Sequence, residues 1–464
     1  MKYFNTLLFC LLSILNYGQL DTVTIGTSIL VKSEIAIGLN VPWDIEWGPD
    51  DHIWATERRG TVVRIDPSSG LTTTVLDIRN KVSAVQESGL LGLAIHPDFD
   101  NNPYVYLAYV YGNAYPSWER LVRYTWDGSQ LVNEEIVLDN NRIEAGFIHN
   151  GSRLMITDDM KILMTTGDFG SSFTSQSLSV LNGKLLRINL DGSIPDDNPD
   201  PSSYVYSYGH RNSQGIAYGP NRQIYSSEHG PDSSDEFNLI IPNRNYGWPA
   251  VIGACNTGAE INFCNNNDVV EPLIEWTPCV AVNGLSYYDH TAIPELEGKM
   301  LMAVLGGFAQ LPRVSVLTFN DDGTQVTQEE QYFDEFGRIR DIIVSPEGDI
   351  YFATNGNNYP GSGPNMIISY SREGTVSSTN DIVSEEMIAL YPNPASEGQA
   401  ISLSYDKELT GGQYQVIGYD GKVYNQGSLP NDKQSITLKD ITSGHYYMSV
   451  TSEVGRITKS FVVE

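Results

Sequence analysis

The chain has 464 residues, of which 28 are Lys or Arg and 57 are Asp or Glu, giving a formal net charge of -29 at pH 7. A charge of this sign repels nucleic acid and anionic membrane surfaces and attracts metal cations. The hydrophobic fraction of 41% and the 42 glycines predict an ordered protein with many short strands joined by tight turns.

The N-terminal segment, residues 1–19, is predicted to be a secretory signal peptide. Lys2 precedes an apolar run from Leu7 to Leu15, and polar residues follow it. This run is shorter than the roughly 20 residues that cross a bilayer. No later segment of the sequence is long and apolar enough to form a membrane helix. We therefore expect an exported protein without stable membrane insertion.

A recurring segment predicts the fold of residues 33–372. In this segment a Pro/Asp/Asn turn leads into a short apolar strand that ends in small polar residues, as in GPDDHIWATE and SPEGDIYFATNG. Four copies start at Gly48, Thr157, Gly219 and Ser345, at spacings of two, one and two units of about 60 residues. Strand-and-turn units of that size are typical of β-propellers. The region is therefore predicted to be an all-β, six-bladed β-propeller.

Polar residues at predicted strand ends are candidates for chemistry. His149, in FIHNGSRLMI, stands at the start of a strand, and a neutral imidazole can act as a general base. Arg211 and Asn212 precede another strand in GHRNSQG. A structural histidine and surface ion pairs are the alternatives. The sequence contains none of the GxGxxG, P-loop, HExxH or GxSxG motifs.

The turn EHGPDSSDE, residues 228–236, is a candidate cation site. It combines carboxylates with the backbone carbonyls of Gly230 and Pro231, and hard oxygen ligands suit Ca²⁺. The spacing is not that of an EF-hand, and a solvated acidic turn is the alternative.

Three cysteines follow the predicted signal peptide. Cys255 and Cys264 flank a polar loop, for which we expect a local disulfide in an oxidising compartment. Cys279 is then unpaired and buried. The absence of CxxC spacing argues against a structural zinc site.

Arg338 and Arg340, in GRIRD, are predicted to share one face of a strand because they are two residues apart. Two guanidinium groups on one face repel each other unless an anion lies between them, and guanidinium binds carboxylates with two hydrogen bonds. A small molecule with several carboxylates is therefore a natural ligand. Surface ion pairs are the alternative.

The sequence changes character after Tyr370. Residues 373–386 are polar and aperiodic, which predicts a linker, and residues 387–464 show alternating strands that predict a small β-sandwich. The YPNP start and KSFVV end of this segment resemble the C-terminal sorting domain of the type IX secretion system. The resemblance implies export by that machinery to the cell surface or the medium. A carbohydrate-binding module is the alternative.

Several motifs between Ile35 and Arg372 together resemble the soluble glucose/sorbosone dehydrogenases, also called aldose sugar dehydrogenases. In chain order they are ESGLLGLAIHPDFDNNPYVYLAY, HNGSRL, GKLLRINLDGSIPDDNP, GHRNSQG, EHGPDSSDEFNLI, NYGWP and RIRDIIVSPEGDIY. The resemblance implies a six-bladed propeller that uses pyrroloquinoline quinone (PQQ) and calcium. Such an enzyme oxidises the C1 hydroxyl of an aldose to a lactone and passes the electrons to an external acceptor.

The resemblance also implies roles for individual residues. His149 would be the catalytic base that contacts the sugar, Arg211 would stabilise charge on the cofactor, and Glu87 stands where the family has a glutamine near the substrate. Residues implied to bind PQQ are Arg211, Asn212, Cys279, Arg338 and Arg340. Residues implied to bind calcium are Gly230 and Pro231 at the active site, and Glu236 and Tyr246 at a second, structural site.

Besides Glu87 in place of the glutamine, three departures from the family pattern bear on the function. Ile148 replaces the aspartate that precedes the catalytic histidine, and Cys279 replaces a threonine or serine. The lysine expected to contact PQQ is missing from LMAVLGGFAQLPRVSVLTF, where Gln310 or Arg313 could substitute. Two alternative functions remain: a non-catalytic propeller that binds a glycan or protein ligand, and a Ca²⁺-dependent lactonase.

Overall fold

The computed structural model describes residues 21–112, 117–307, 310–356, 365–373, 387–418, 423–430, 435–438, 441–452 and 455–464. The predicted signal peptide and residues 374–386 of the predicted linker lie outside these ranges. Antiparallel β-sheets dominate the described residues, which confirms the all-β prediction.

Five four-stranded sheets follow one another along the chain, each built from consecutive strands. Two strands precede them, β1 (Thr22–Ile25) and β2 (Ser28–Ile37). The strands of the five sheets are β3 (Pro42–Trp47), β4 (Ile53–Glu57), β5 (Thr61–Ile65) and β6 (Thr72–Asp77); β7 (Leu90–Ile95), β8 (Tyr104–Tyr111), β9 (Ser117–Trp126) and β10 (Leu131–Ala145); β11 (Gly151–Ile156), β12 (Lys161–Thr166), β13 (Lys184–Asn189) and β14 (Val205–Tyr208); β15 (Ser213–Tyr218), β16 (Ile224–Glu228), β17 (Asp235–Ile240) and β18 (Ile274–Trp276); and β19 (Val282–Tyr288), β20 (Lys299–Val304), β21 (Arg313–Phe319) and β22 (Val326–Tyr332).

A sixth sheet combines both ends of this region. Its later strands are β23 (Ile339–Val344), β24 (Ile350–Thr354) and β25 (Met366–Arg372), and the strand order is β1-β2-β25-β24-β23. In the β2–β25 pair, Leu30 is opposite Arg372 and Ile37 is opposite Met366. The first strands of the region therefore complete its last sheet.

The first strands of the six sheets pack against one another in succession. β3 contacts β7, β7 contacts β11, β11 contacts β15, β15 contacts β19, β19 contacts β23, and β23 contacts β3. Glycine permits the close approach at two of these contacts, because a Cβ atom at Gly92 would collide with the Ser152 carbonyl and one at Gly215 with the Asn283 carbonyl.

The four recurring sequence segments correspond to one position in the sheets. The segments that start at Gly48, Thr157, Gly219 and Ser345 lead into β4, β12, β16 and β24. Each of these is the second strand of its sheet, when the strand that packs against the neighbouring sheets is counted as the first. The remaining second strands are β8 and β20, which accounts for the two double spacings.

One short α-helix interrupts the strands. Helix α1 (Gly258–Asn267) begins with a capping box formed by Thr257 and Glu260, and none of its residues is buried. The predicted disulfide between Cys255 and Cys264 is present and Cys279 is free and buried, as expected. Short 3₁₀ helices span Ser172–Gln176, Pro220–Arg222 and Lys407–Leu409. Among the described residues, no helix has the length and apolar character to cross a membrane.

The C-terminal segment forms two further sheets. One has the order β26-β27-β30 and the other β29-β28-β31-β32. Ile388 and Leu403 of the first sheet and Val416 and Met448 of the second belong to one buried apolar cluster, as in a small β-sandwich. The strands are β26 (Ile388–Tyr391), β27 (Ile401–Tyr405), β28 (Gln413–Gly418), β29 (Val423–Ser428), β30 (Ser435–Leu438), β31 (Gly444–Ser452) and β32 (Gly455–Val463).

Candidate active site

A cavity of about 200 Å³ lies where β3, β15 and β23 begin. Of the residues singled out in the sequence, it is lined by Glu87, Asn212, Arg338 and Arg340. His149 and Arg211 adjoin it through two lining residues, since the His149 N–H donates to Glu87 Oε2 (2.9 Å) and Arg211 Nη1 donates to the His229 carbonyl (3.0 Å). Residues distant in the sequence therefore meet at one site.

The His149 ring is held from both sides. Its Nδ1 lies 2.8 Å from Asp168 Oδ1, and its Nε2 lies 3.1 Å from Arg211 Nη2. A guanidinium nitrogen can only donate, so Nε2 is the acceptor and Nδ1 carries the proton that is donated to Asp168. The imidazole is thus a neutral base whose lone pair is on Nε2.

Asp168 is a buried carboxylate that the sequence analysis missed. Burial raises its pKa, but hydrogen bonds from His149, the Gly170 N–H (2.8 Å) and Trp248 Nε1 (2.9 Å) outweigh burial and hold the pKa below its ordinary value. Asp168 therefore remains ionised and can stabilise a protonated His149. Its only sequence signal is its place at the end of the recurring segment TDDMKILMTTGD.

Arg211 is fixed by its backbone as well as by its side chain. Its N–H donates to Glu228, which also accepts from His210 Nδ1 (2.9 Å) and Ser213 Oγ (2.9 Å). The guanidinium lies 5.4 Å from the centre of the Trp248 ring. The buried Arg211 Nε has no hydrogen-bond partner among the described residues, so the guanidinium retains capacity for a ligand.

Arg338 and Arg340 line the same cavity, as their spacing predicted. Arg340 donates to the amide oxygens of Asn355 (3.0 Å), Gln214 (3.2 Å) and Asn283 (3.2 Å). Burial, together with the nearby Arg338, lowers the Arg340 pKa to about 9.

The cavity carries excess positive charge. Among the described lining residues, Arg58, Arg338 and Arg340 are cationic, and Glu87 is the one carboxylate. A bound anion would lower the repulsion between these arginines, so the lining fits a ligand with several carboxylates.

The turn at Gly230 and Pro231 is held by Asp235, which is fully buried. Asp235 accepts from the N–H groups of Gly230 (2.8 Å), Val280 (2.8 Å) and Ala281 (2.5 Å). The carbonyl oxygens of Gly230 and Pro231 accept no hydrogen bond from the described residues. They are therefore open to a cation.

Cys279 is packed beside the same carboxylate. Burial and the neighbouring Asp235 raise the pKa of its thiol to about 12, so the thiol is protonated at neutral pH. Cys279 is not among the described residues that line the central cavity.

Glu236 and Tyr246 lie away from the central cavity and make separate contacts. Glu236 accepts from the Gly253 N–H (3.0 Å) and from Asn238 Nδ2 (3.0 Å), and burial together with Glu228 raises its pKa to about 8. The Tyr246 hydroxyl donates to the Leu239 carbonyl (2.7 Å). Within the described ranges, no group of three or more His, Cys, Asp or Glu side chains is placed to hold a metal ion.

Two family models match this chain. One is described as glucose/sorbosone dehydrogenase and matches residues 39–361, and the other is described as a secretion system C-terminal sorting domain and matches residues 389–464. The chain belongs to the glucose/sorbosone dehydrogenase family. Its C-terminal domain is a type IX sorting domain, which indicates export to the cell surface or the extracellular space.

Relatives within this family include sugar dehydrogenases. Quinoprotein glucose dehydrogenase B of Acinetobacter calcoaceticus is 40% identical over 252 residues, which cover 48% of this chain and 53% of that protein. Aldose sugar dehydrogenase YliI of Escherichia coli strain K12 is 28% identical over 332 residues, which cover 68% of this chain and 88% of that protein. The PQQ-bound aldose sugar dehydrogenase of Streptomyces coelicolor superimposes with a TM-score of 0.62 at 30% identity, covering 74% of this chain and 97% of that structure.

Both candidate substitutes for the missing lysine lie among the described residues. Arg313, considered as a substitute for the missing lysine, pairs with Glu329 (3.2 Å). It is not among the described residues that line the cavity. Gln310, the other candidate, is exposed.

Proposed function

We propose that the chain is a secreted, PQQ- and Ca²⁺-dependent dehydrogenase that oxidises the C1 hydroxyl of an aldose to a lactone. One observation carries this proposal: the His149 base, flanked by Asp168 and Arg211, lies beside a cavity lined by three arginines. Family membership supports the same reaction class.

Residues at the cavity fit PQQ, which is a tricarboxylate. Arg338 and Arg340 would hold its carboxylates, and Asn212 would contact its ring system. The Arg211 guanidinium would lie at the quinone, and the backbone of Cys279 or its thiol would approach from the Asp235 side. The excess of guanidinium groups over carboxylates in the lining supports this assignment.

The carbonyls of Gly230 and Pro231 would hold the active-site Ca²⁺, since no described residue donates to them. Glu236 and Tyr246 would contribute to a second Ca²⁺ site. The raised pKa of Glu236 supports this assignment, because a nearby cation would restore its ionised form.

The protein groups have distinct roles in the proposed reaction. PQQ, when bound, would supply the two-electron acceptor. His149 Nε2 would take the proton of the sugar C1 hydroxyl as the C1 hydrogen leaves with its electron pair, Asp168 would stabilise the resulting imidazolium, and Glu87 would bind the substrate. An external acceptor would then remove the two electrons.

The proposed domain organisation follows the predicted boundaries. Residues 33–372 would be a six-bladed propeller in which the six sheets are the blades, and β2 would join the last blade to the first part of the chain. Residues 373–386 would be the linker, and residues 387–464 would direct export after removal of the signal peptide, residues 1–19.

Reconstitution tests the proposed activity. The purified protein is incubated with PQQ and Ca²⁺, and we expect retained quinone absorbance and reduction of an artificial dye when aldoses are added. The control is Arg338→Met/Arg340→Met, which should bind less PQQ because two guanidinium groups are lost. If the protein retains no quinone, or retains it without reducing the dye, the non-catalytic binding protein is the better function. If it hydrolyses a lactone without PQQ, the lactonase is favoured.

A further inference from the structure

Lys184, in β13, is a fully buried cation next to the candidate active site. Its Nζ donates to the carbonyl oxygens of Thr174 (3.0 Å), Ser175 (3.0 Å) and Asn182 (2.6 Å). An ammonium group has three N–H donors, so the backbone of the β12–β13 connection, residues 167–183, uses all of them. The side chain therefore orders a loop instead of neutralising an acid.

One part of this loop leads to Asp168. Asn182 Nδ2 donates to the Gly167 carbonyl (3.4 Å), and the Gly183 N–H donates to the same oxygen (2.9 Å). Gly167 immediately precedes Asp168, whose carboxylate binds His149 Nδ1. The acceptors of Lys184 are thus joined to the residue that orients one side of the imidazole.

Another part of the loop leads to Arg211. The Ser175 carbonyl, which accepts from Lys184, also accepts from the Gly209 N–H (3.0 Å), and Ser175 Oγ donates to the His210 carbonyl (2.6 Å). Arg211 follows His210 and places Nη2 at the other ring nitrogen of His149. A hydrogen bond from the Asp168 N–H to the Arg211 carbonyl (2.8 Å) connects the two parts.

We propose that Lys184 is a positioning residue for His149. Its ammonium group holds together the two backbone segments that carry Asp168 and Arg211, and so fixes the tautomer and orientation of the imidazole between them. The kinetic consequence rests on the proposed function, whereas the structural consequence can be measured without cofactor.

The charge of Lys184 is kept in a buried position at a cost. Burial lowers the pKa of Lys184 to about 7, which reflects the cost of keeping an ammonium group out of water. Lys184→Met gives an unbranched apolar side chain one heavy atom shorter, and it removes both this cost and the three hydrogen bonds. Arg187→Met is the matched control, because Arg187 is a buried cation of the same strand that contacts Asp197 (2.8 Å) and Asn198 (3.0 Å) instead of the loop.

The first test is NMR of the cofactor-free protein labelled with ¹⁵N-histidine. The protein has seven histidines, and the signals of His149 are assigned from their loss in His149→Gln. We expect one tautomer with the proton on Nδ1 in the wild type and in Arg187→Met, and a mixture of tautomers in Lys184→Met. An unchanged single tautomer in Lys184→Met would overturn the proposal.

The second test is a double-mutant cycle in the PQQ-loaded enzyme. Lys184→Met should lower kcat roughly tenfold or more with little change in PQQ retention. Because Lys184 acts on His149 through Asp168 and Arg211, the loss of kcat in Lys184→Met/Asp168→Asn should be smaller than the combined losses of the two single variants. Additive losses would contradict the proposal.

Failure of the inference and failure of the proposed function give different results. If the wild type oxidises no aldose, the proposed function fails while the NMR comparison still decides the role of Lys184. If Lys184→Met does not fold, Lys184→Leu takes its place, since it also removes all three N–H donors. A single His149 tautomer together with unchanged kcat in that variant would also contradict the proposal.

Discussion

His149 adopts a left-handed backbone conformation, with a φ of 54°. This region is costly for a residue that has a Cβ atom, and the surrounding contacts must compensate for it. Glu87 accepts the His149 N–H (2.9 Å), and the His149 carbonyl accepts from the Phe169 N–H (3.2 Å). Phe169 (φ 43°) and two lining residues of the cavity, Gln86 (φ 51°) and Ala281 (φ 63°), adopt the same region, so left-handed backbone recurs around the site.

Asp168→Asn should disable the base while preserving the cavity. An amide can donate to His149 Nδ1, which would move the ring proton to Nε2 and remove the lone pair that faces Arg211. We expect kcat to fall roughly 10²-fold or more, as measured by steady-state dye reduction, with PQQ retention unchanged.

Trp248→Phe is the matched control for this substitution. It removes one donor to Asp168 Oδ2 but leaves the contact between Asp168 and His149, so its kcat should fall much less. Equal losses of kcat in the two variants would contradict the assigned role of Asp168.

Glu119 gives a prediction about pH and stability. It is 1% exposed in β9, accepts a hydrogen bond from Ser152, and burial raises its pKa to about 8. In the unfolded chain a glutamate has a pKa of about 4.3. The free energy of unfolding therefore falls as pH rises from about 4.3 to about 8, by up to about 1.4 kcal/mol per pH unit, because the unfolded chain releases this proton and the folded protein keeps it. Glu119→Gln does not titrate and should gain stability relative to the wild type over this range.

Urea unfolding between pH 5 and pH 8 measures this difference. Glu135→Gln is the control, because the Glu135 side chain is 59% exposed on the neighbouring strand. Its free energy of unfolding should run parallel to that of the wild type. A parallel course for Glu119→Gln would show that Glu119 is ionised in the folded protein.

The disulfide loop is organised by backbone N–H groups and carboxylates. Four consecutive N–H groups, from Ile252 to Cys255, each donate to a different side chain. The acceptors are Glu260 (3.5 Å), Glu236 (3.0 Å), Glu275 (3.0 Å) and Glu271 (2.9 Å). The disulfide between Cys255 and Cys264 therefore stabilises a segment that also holds Glu236.

Cys255→Ser/Cys264→Ser should lower thermal stability more than activity. Opening this short loop removes a constraint on the unfolded chain, which lowers the free energy of unfolding by up to about 3 kcal/mol. The contacts among His149, Asp168 and Arg211 do not depend on the disulfide. Calorimetry and dye reduction on the same sample measure the two effects. A loss of kcat larger than the loss of folded protein would place the loop in the catalytic machinery.

The sequence predicted some secondary-structure elements and missed others. Four second strands were recognised because each follows a short turn of four or five residues, whereas β8 and β20 follow longer connections of eight and ten residues. Helix α1 was not predicted, because no residue in it is buried and its sequence therefore lacks a helical pattern of apolar residues.

The candidate site was predictable where chemistry is local in the sequence. Arg338 and Arg340 line the cavity as their spacing predicted, and the Cys255–Cys264 pair was found from its loop. Asp168 and Lys184 were missed because each is a single polar residue whose partner is set by packing between strands, and Glu228 and Asp235 were predicted only as carboxylates of an acidic turn. The spacing of residues along a single sequence does not predict contacts of this kind.

At the scale of the whole molecule, the two ends of the chain should differ in their effect on stability. Residues 387–464 have a buried cluster of their own, whereas β2 contributes Leu30 and Ala36 to clusters shared with other sheets of residues 22–372. We expect deletion of residues 387–464 to leave kcat and the main melting transition unchanged. Deletion of residues 21–37 should abolish the cooperative transition, as measured by calorimetry, because it uncovers β25 and removes core side chains.

The opposite result for either deletion would contradict this division. Loss of kcat on removal of residues 387–464 would show that the sorting domain supports the active site. A normal melting transition without residues 21–37 would show that β23, β24 and β25 form a sufficient sheet.

The pairing of β2 with β25 also has a temporal consequence. Arg338 and Arg340 belong to the sheet in which Leu30 lies opposite Arg372, so this sheet cannot assemble until synthesis has passed β25. Pairing between such distant segments is slow, and until it occurs the edge of β2 opposite β1 has no partner strand. The arginines proposed to hold the cofactor are thus among the last groups to be put in place, so the cavity that they line is complete only after both ends of residues 22–372 have paired.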